Sequence, residues 1–148
     1  MPPNMPESWP EVAWLTRGGV GARVLRNESA VVATINATLA VLRLRLVVLD
    51  RPSPERLRSA RGVIGVHGGA LSNLHACAPG TVVVEVLGRT RRMGRVEHTD
   101  PYWCFGGLSR GVQLDYYACH IRSGTAGPKG SPMWALHGVS GRWPCPLP

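Results

Sequence analysis

The sequence is short of lysine, of phenylalanine and of long apolar runs, and each shortage closes off a class of protein. Lysine occurs once, at Lys129, and phenylalanine once. With few aromatic platforms, none interleaved with basic residues, the chain lacks the alternation that a single-strand nucleic-acid binder uses to stack bases. Nucleic acid is therefore not an expected partner. The longest apolar stretches, around Val31 to Leu42 and Val82 to Leu87, stop well before the ~18 residues that cross a bilayer, so no transmembrane segment is expected. Met1 to Pro10 holds four prolines and neither a basic n-region nor an apolar h-region, unlike a secretory signal. No CxxC pair joins Cys77, Cys104, Cys119 and Cys145, no two histidines stand at ligand spacing beside them, and no Asp-x-Asp occurs. Neither a zinc clamp nor any other metal site is expected.

What is present is enough for one core. The 148 residues are 44% hydrophobic and 18% charged, which suits a single globular domain and excludes a multidomain enzyme. The net charge of +8 rests on 16 Arg against one Lys. With 18 Gly and 13 Pro, that skew fits a codon bias toward G and C; it also fits phosphate recognition, for which the guanidinium fork is the preferred donor. The even cysteine count permits two disulfides in an oxidising lumen, and isolated buried thiols equally. Two sequons, Asn27-Glu28-Ser29 and Asn36-Ala37-Thr38, become glycan acceptors only in a secretory compartment.

Along the chain, short apolar runs alternate with amphipathic segments. Glu11 to Thr16 reads as a strand ended by Arg17-Gly18-Gly19. Val31, Val32, Ile35, Leu39 and Leu42 lie at helical spacing over Glu28 to Leu42, with Asn27 as N-cap and Glu28 in the first turn. Leu44 to Leu49 is a second strand, and Ser53-Pro54-Glu55 opens a helix through Ala60. Gly62 to Val66 is a third strand, His67-Gly68-Gly69 a turn, Ala70 to Ala76 a helix and Thr81 to Leu87 a fourth strand. Gly88 to Pro101 reads as a basic loop, Tyr102 to Arg110 as a last helix and Val112 to Ala118 as a last strand. The expected fold class is α/β, a Rossmann-like doubly wound parallel sheet. It spans residues 11–121 between an irregular segment, 1–10, and an irregular tail, 122–148.

The segment Gly62-Val63-Ile64-Gly65-Val66-His67-Gly68-Gly69-Ala70-Leu71-Ser72-Asn73 is the most informative. A strand ends in His-Gly-Gly and a helix opens directly after it. Glycines admit a ligand close to the backbone, and first-turn amides from about Gly69 to Ser72 suit an anion such as a diphosphate. The same pattern also serves any strand-to-helix turn.

Gly65-Val66-His67-Gly68-Gly69-Ala70-Leu71-Ser72-Asn73, followed by Ala78-Pro79-Gly80-Thr81-Val82-Val83-Val84-Glu85, resembles the signature of family 61 glycosyltransferases. Thr16-Arg17 with Arg23-Val24-Leu25-Arg26-Asn27-Glu28 is similar to an upstream motif of that family, and Tyr102 to Gly111 with Tyr116 more loosely to a closing one. Three segments in family order cover roughly residues 11 to 120. Gly69-Ala70 reverses the family's order, and Glu55 stands where Gln is common. The resemblance implies the carboxyl-terminal, donor-binding half of a two-domain GT-B enzyme. Its donor would be a nucleotide sugar, a UDP-sugar by family habit, and inverting transfer would deliver the sugar to a hydroxyl of a glycan or protein acceptor, with no cofactor. It implies nucleotide-sugar contacts from Arg17, Arg23, His67, Gly68, Gly69, Ala70 and Leu71. Glu85 would then take ribose hydroxyls, and His67 would serve phosphate, acceptor or turn. It assigns no catalytic residue. The implied compartment is the Golgi or endoplasmic reticulum lumen in a eukaryote and the cytoplasm in a bacterium.

Two other readings stand beside it. Val66-His67-Gly68-Gly69 also looks like an esterase oxyanion-hole segment, and Gly107-Leu108-Ser109-Arg110-Gly111 fits a G-x-S-x-G nucleophile elbow, with Asp115, His120 and His137 left as partners. An elbow needs a strand before the serine, where Tyr102 to Gly106 reads as loop or helix. A nucleotide-binding remnant without turnover is the third reading, because the acceptor domain of a GT-B enzyme is not in this sequence.

Overall fold

The computed structural model describes residues 9–16, 25, 27–92, 95–97 and 103–122. Arg17, Arg23, the segment 1–8 and the tail 123–148 lie outside them. Six strands form one sheet: β1 (Glu11–Leu15), β2 (Arg45–Leu49), β3 (Gly62–Val66), β4 (Val82–Arg92), β5 (Arg95–Glu97) and β6 (Asp115–Arg122). Five of them run parallel in the order β2-β1-β3-β4-β6, and β5 pairs antiparallel with the far end of β4. The expected α/β parallel sheet is thus the observed one.

Helices cover both faces because alternate residues of each strand point oppositely. α1 (Glu28–Val41) lies on the face bearing Trp14, Val66 and Val86, where Leu25 and Val31 join a buried cluster. α2 (Pro54–Ser59), a 3-10 helix (Gly69–Ala76) and α3 (Trp103–Gly111) lie on the other. There Leu57, Leu71, Leu74, Val63 and Val83 are completely buried.

Local chemistry explains the element ends. Ser53 caps α2 by accepting from the Arg56 amide at 3.3 Å, with Pro54 at N1. Asn27 occupies the N-cap position of α1 but makes no side-chain cap bond. The first-turn acid Glu28 instead accepts from the Trp14 indole at 2.6 Å, tying helix to strand. α1 and α3 end alike. Arg43 (φ 55) and Gln113 (φ 60) are left-handed. Leu44 N–H reaches the Leu39 carbonyl at 2.9 Å and Leu114 N–H the Ser109 carbonyl at 2.8 Å, the six-to-one bond of a Schellman motif. That turn consumes Val112 to Leu114, so the last strand starts at Asp115 rather than Val112.

Two further expectations are corrected. The segment after Gly65-Val66-His67-Gly68 is a 3-10 helix rather than an α-helix. The basic stretch from Gly88 is not a loop throughout: β4 runs on to Arg92, held by β6 as far as Arg89↔Arg122 and then by β5 through Thr90↔Glu97 to Arg92↔Arg95.

Part of the positive charge has a structural use at the amino-terminal edge of the sheet. Glu11 of β1 holds Arg45 of β2, and Arg56 of α2 at 3.3 Å. Among the described residues no helix is long and apolar enough to cross a membrane.

Candidate functional site

In the order β2-β1-β3-β4-β6, the chain winds from β1 toward β2 on one side and from β3 toward β4 on the other. The reversal falls between β1 and β3, and the crevice outside the carboxyl ends of those two strands is where such sheets take ligands. β3 delivers His67-Gly68-Gly69 to that place.

His67 extends the β3–β4 ladder by one residue, its amide donating to the Val86 carbonyl at 2.9 Å. The parallel register sets Gly65 opposite Glu85, so His67, two residues on, shares its face. The His67 Nδ1 is hydrogen-bonded to Glu85 Oε1. On the other side β6 sets Tyr116 opposite Val83, and the Tyr116 hydroxyl donates to Glu85 Oε2. Phe105 of α3 meets the imidazole edge-on, with ring centroids 5.4 Å apart at 64°. Glu85 has no exposed surface and His67 only 7%. A carboxylate in such a place is costly unless donors satisfy it; here two do, one to each oxygen.

Beyond His67 the backbone turns outward. Gly68 is buried and almost fully extended, with φ 156 and ψ −177. Gly69 is exposed, and a Cβ built on it would meet nothing within 4 Å. Ala70 is half-buried against the core. Leu71 N–H donates to the Gly68 carbonyl at 3.0 Å, the first bond of the 3-10 helix, so the helix supplies no carbonyl to the amides of Gly69 and Ala70. Ser72 turns its hydroxyl back to the Gly69 carbonyl at 2.6 Å.

Placed against the sequence expectations, the loop residues come together and others do not. His67, Gly68, Gly69 and Ala70 line the end of β3. Leu71 is core: its side chain is completely buried under Gly65 and its amide is already used. Both oxygens of Glu85 are taken by protein donors, which withdraws it as a ribose acceptor. Arg17 and Arg23 lie outside the described residues. Sequence reasoning missed Phe105 as a neighbour of His67 and Tyr116 as a partner of Glu85, although Tyr116 stood in the loosest of the three matched segments.

The nucleophile-elbow reading fails on geometry. Gly107 to Gly111 is helical, within α3, and Ser109 is completely buried with its hydroxyl unpartnered among the described residues. Asp115 opens β6 at the amino edge of the sheet, opposite the end that carries His67. His120 falls within β6, and His137 lies outside the described residues.

Cys77 and Cys119 are free thiols in the clusters on opposite faces of the sheet. Burial pushes the Cys77 thiol up to about 11 and raises that of Cys119 as well. A shallow groove of about 730 Å³ lies elsewhere, on the outside of α1 between Ala33, Thr34, Ala37, Thr38, Val41 and Leu42. Neither the known family models nor the curated proteins contain a match to this chain.

Proposed function

We propose that this chain is a nucleotide-sugar-binding domain of the family 61 glycosyltransferase kind, equivalent to the donor half of a GT-B enzyme. One observation carries the reading: the motif that resembles that family, His67-Gly68-Gly69, leaves β3 at the point where the winding of the sheet reverses. Main-chain amides at the start of the 3-10 helix, around Gly69 and Ala70, receive the diphosphate of a UDP-sugar. Arg17, in the segment that follows β1, adds a guanidinium that stabilises the charge growing on the departing UDP, and Arg23 assists it. The sugar then passes by inverting displacement to a hydroxyl of a glycan or protein acceptor.

Titration calorimetry with UDP tests the reading. The wild-type chain binds UDP, and Arg17→Ala loses most of the heat. A folded sample that binds no UDP removes the donor site altogether. Transfer from a labelled UDP-sugar separates an active transferase from a domain that binds its donor without turnover.

A further inference from the structure

We propose that Tyr116 is a positioning residue for the His67-Gly68-Gly69 loop and acts through Glu85. The inference rests on the reading of that loop as a nucleoside-diphosphate site, but its geometry stands independently of it.

Packing alone does not ask for a carboxylate at position 85. The neighbouring positions on that face, Val63 and Val83, are apolar and completely buried, and the same space takes a valine or leucine without desolvating a charge. Glu85 is nevertheless there, and two donors from different elements converge on it: the Tyr116 hydroxyl from β6 and His67 Nδ1 from the end of β3. With Glu85 as the shared acceptor of both bonds, His67 carries its proton on Nδ1. In the neutral ring Nε2 is then the acceptor nitrogen. The edge-on Phe105 ring packs against the imidazole from α3.

The consequence reaches the loop. His67 is bonded through its amide to Val86 and through its ring to Glu85, so the chain leaves β3 in a single direction and the Gly69 and Ala70 amides start from a fixed point. Tyr116 enters this scheme through its hydroxyl on Glu85 Oε2. It holds the carboxylate that holds the histidine. The Tyr116 ring rests over Gly106 of α3, its Cε1 3.5 Å from where a Cβ of residue 106 would sit, so Tyr116→Phe keeps this packing and deletes only the donor.

The test uses the full chain, ¹⁵N-labelled, with long-range ¹H–¹⁵N correlation of the histidine rings and His67→Asn to assign the signals. The wild type should show His67 protonated on Nδ1. Tyr116→Phe should mix the two tautomers and weaken UDP binding about 3- to 10-fold, and Glu85→Gln, which offers one acceptor oxygen in place of two, should do so more strongly. An Nε2–H tautomer in the wild type overturns the proposal without any variant. So does a Tyr116→Phe protein whose His67 signals and UDP affinity match the wild type. If no protein binds UDP while the tautomer still responds to Tyr116→Phe, positioning stands and the donor-site reading falls.

Discussion

Glu85 of β4 and Tyr116 of β6 lie on neighbouring parallel strands and on the same face, and the phenol donates to a carboxylate with no solvent-exposed surface. With His67 bonded to the other oxygen, Glu85 links chain from β3, β4 and β6. Removing it leaves a buried imidazole and a half-buried phenol without their shared acceptor. Glu85→Ala should therefore destabilise the fold by about 1–3 kcal/mol for each buried donor left unsatisfied, and Glu85→Gln by less because one acceptor oxygen survives. Urea unfolding followed by circular dichroism measures both.

Two glycines of the matched motif should behave oppositely. At Gly65 a Cβ would sit 3.1 Å from Leu71 Cδ2 and 3.3 Å from Leu15 Cβ, so both leucines must give way by a few tenths of an ångström. Gly65→Ala should cost about 1–3 kcal/mol by overpacking. At Gly69 nothing stands within 4 Å, and Gly69→Ala should leave stability within ~0.5 kcal/mol of the wild type. If the open space at Gly69 is where a diphosphate meets the backbone, the same variant should lower UDP affinity severalfold while its melting temperature stays put.

The contrast between these sites marks what the sequence displayed. β3 and the turn after it were legible because Gly-Val-Ile-Gly-Val is a closed apolar run and His-Gly-Gly punctuates it. The arginine-rich end of β4 was not legible. Beyond Val86 that strand has no β3 neighbour, so Arg-Thr-Arg-Arg carries no apolar alternation, and only its pairing with β5 and β6 makes it a strand. Glu85 was legible as a hydrogen-bond acceptor, but its partners depend on register. His67 lies 18 residues away and Tyr116 31 residues away, and no local pattern encodes which residue of β3 or β6 stands beside it. Sequence reasoning therefore filled the vacancy with a ribose.

Arg43 and Gln113 close α1 and α3 in the left-handed region, where a Cβ crowds the following carbonyl and glycine is at ease. Both helices already make the Schellman bonds, so a glycine loses no hydrogen bond. Arg43→Gly and Gln113→Gly should each stabilise the protein by about 0.5–1 kcal/mol, and the sites are far enough apart in the fold for the double variant to add. Thermal unfolding of the two singles and the double checks this; a loss of stability at either site contradicts the left-handed assignment.

The Cys77 thiol, pushed by burial from an ordinary 9.0 up to about 11, should be nearly inert. Two units fewer in ionisation leave roughly 100-fold less thiolate at pH 8, so iodoacetamide should modify Cys77 about 100-fold more slowly than an exposed thiol, read by peptide mass spectrometry. The sign for stability follows. The unfolded thiol ionises first, so folded-state stability is intact below about pH 9 and declines between pH 9 and about 11. Cys77→Ala should flatten that part of the wild-type profile.

Ser109 separates the transferase reading from the esterase reading most directly. Its hydroxyl is enclosed within the packing of α3 and, among the described residues, has no hydrogen-bond partner. An unsatisfied buried hydroxyl costs about 1–3 kcal/mol relative to its solvated state, whereas alanine fits the same helix with better propensity and no polar group to desolvate. Ser109→Ala should therefore raise stability, or leave it unchanged if the small void offsets the gain. A serine that served as nucleophile would show the reverse in assay: its loss would abolish ester turnover. The expected result is a Ser109→Ala protein at least as stable as the wild type, with UDP binding intact and the same background hydrolysis of a short acyl ester. Loss of esterase activity on this substitution would require α3 to open and expose the hydroxyl, and would return the His67-Gly68-Gly69 turn to the role of an oxyanion hole.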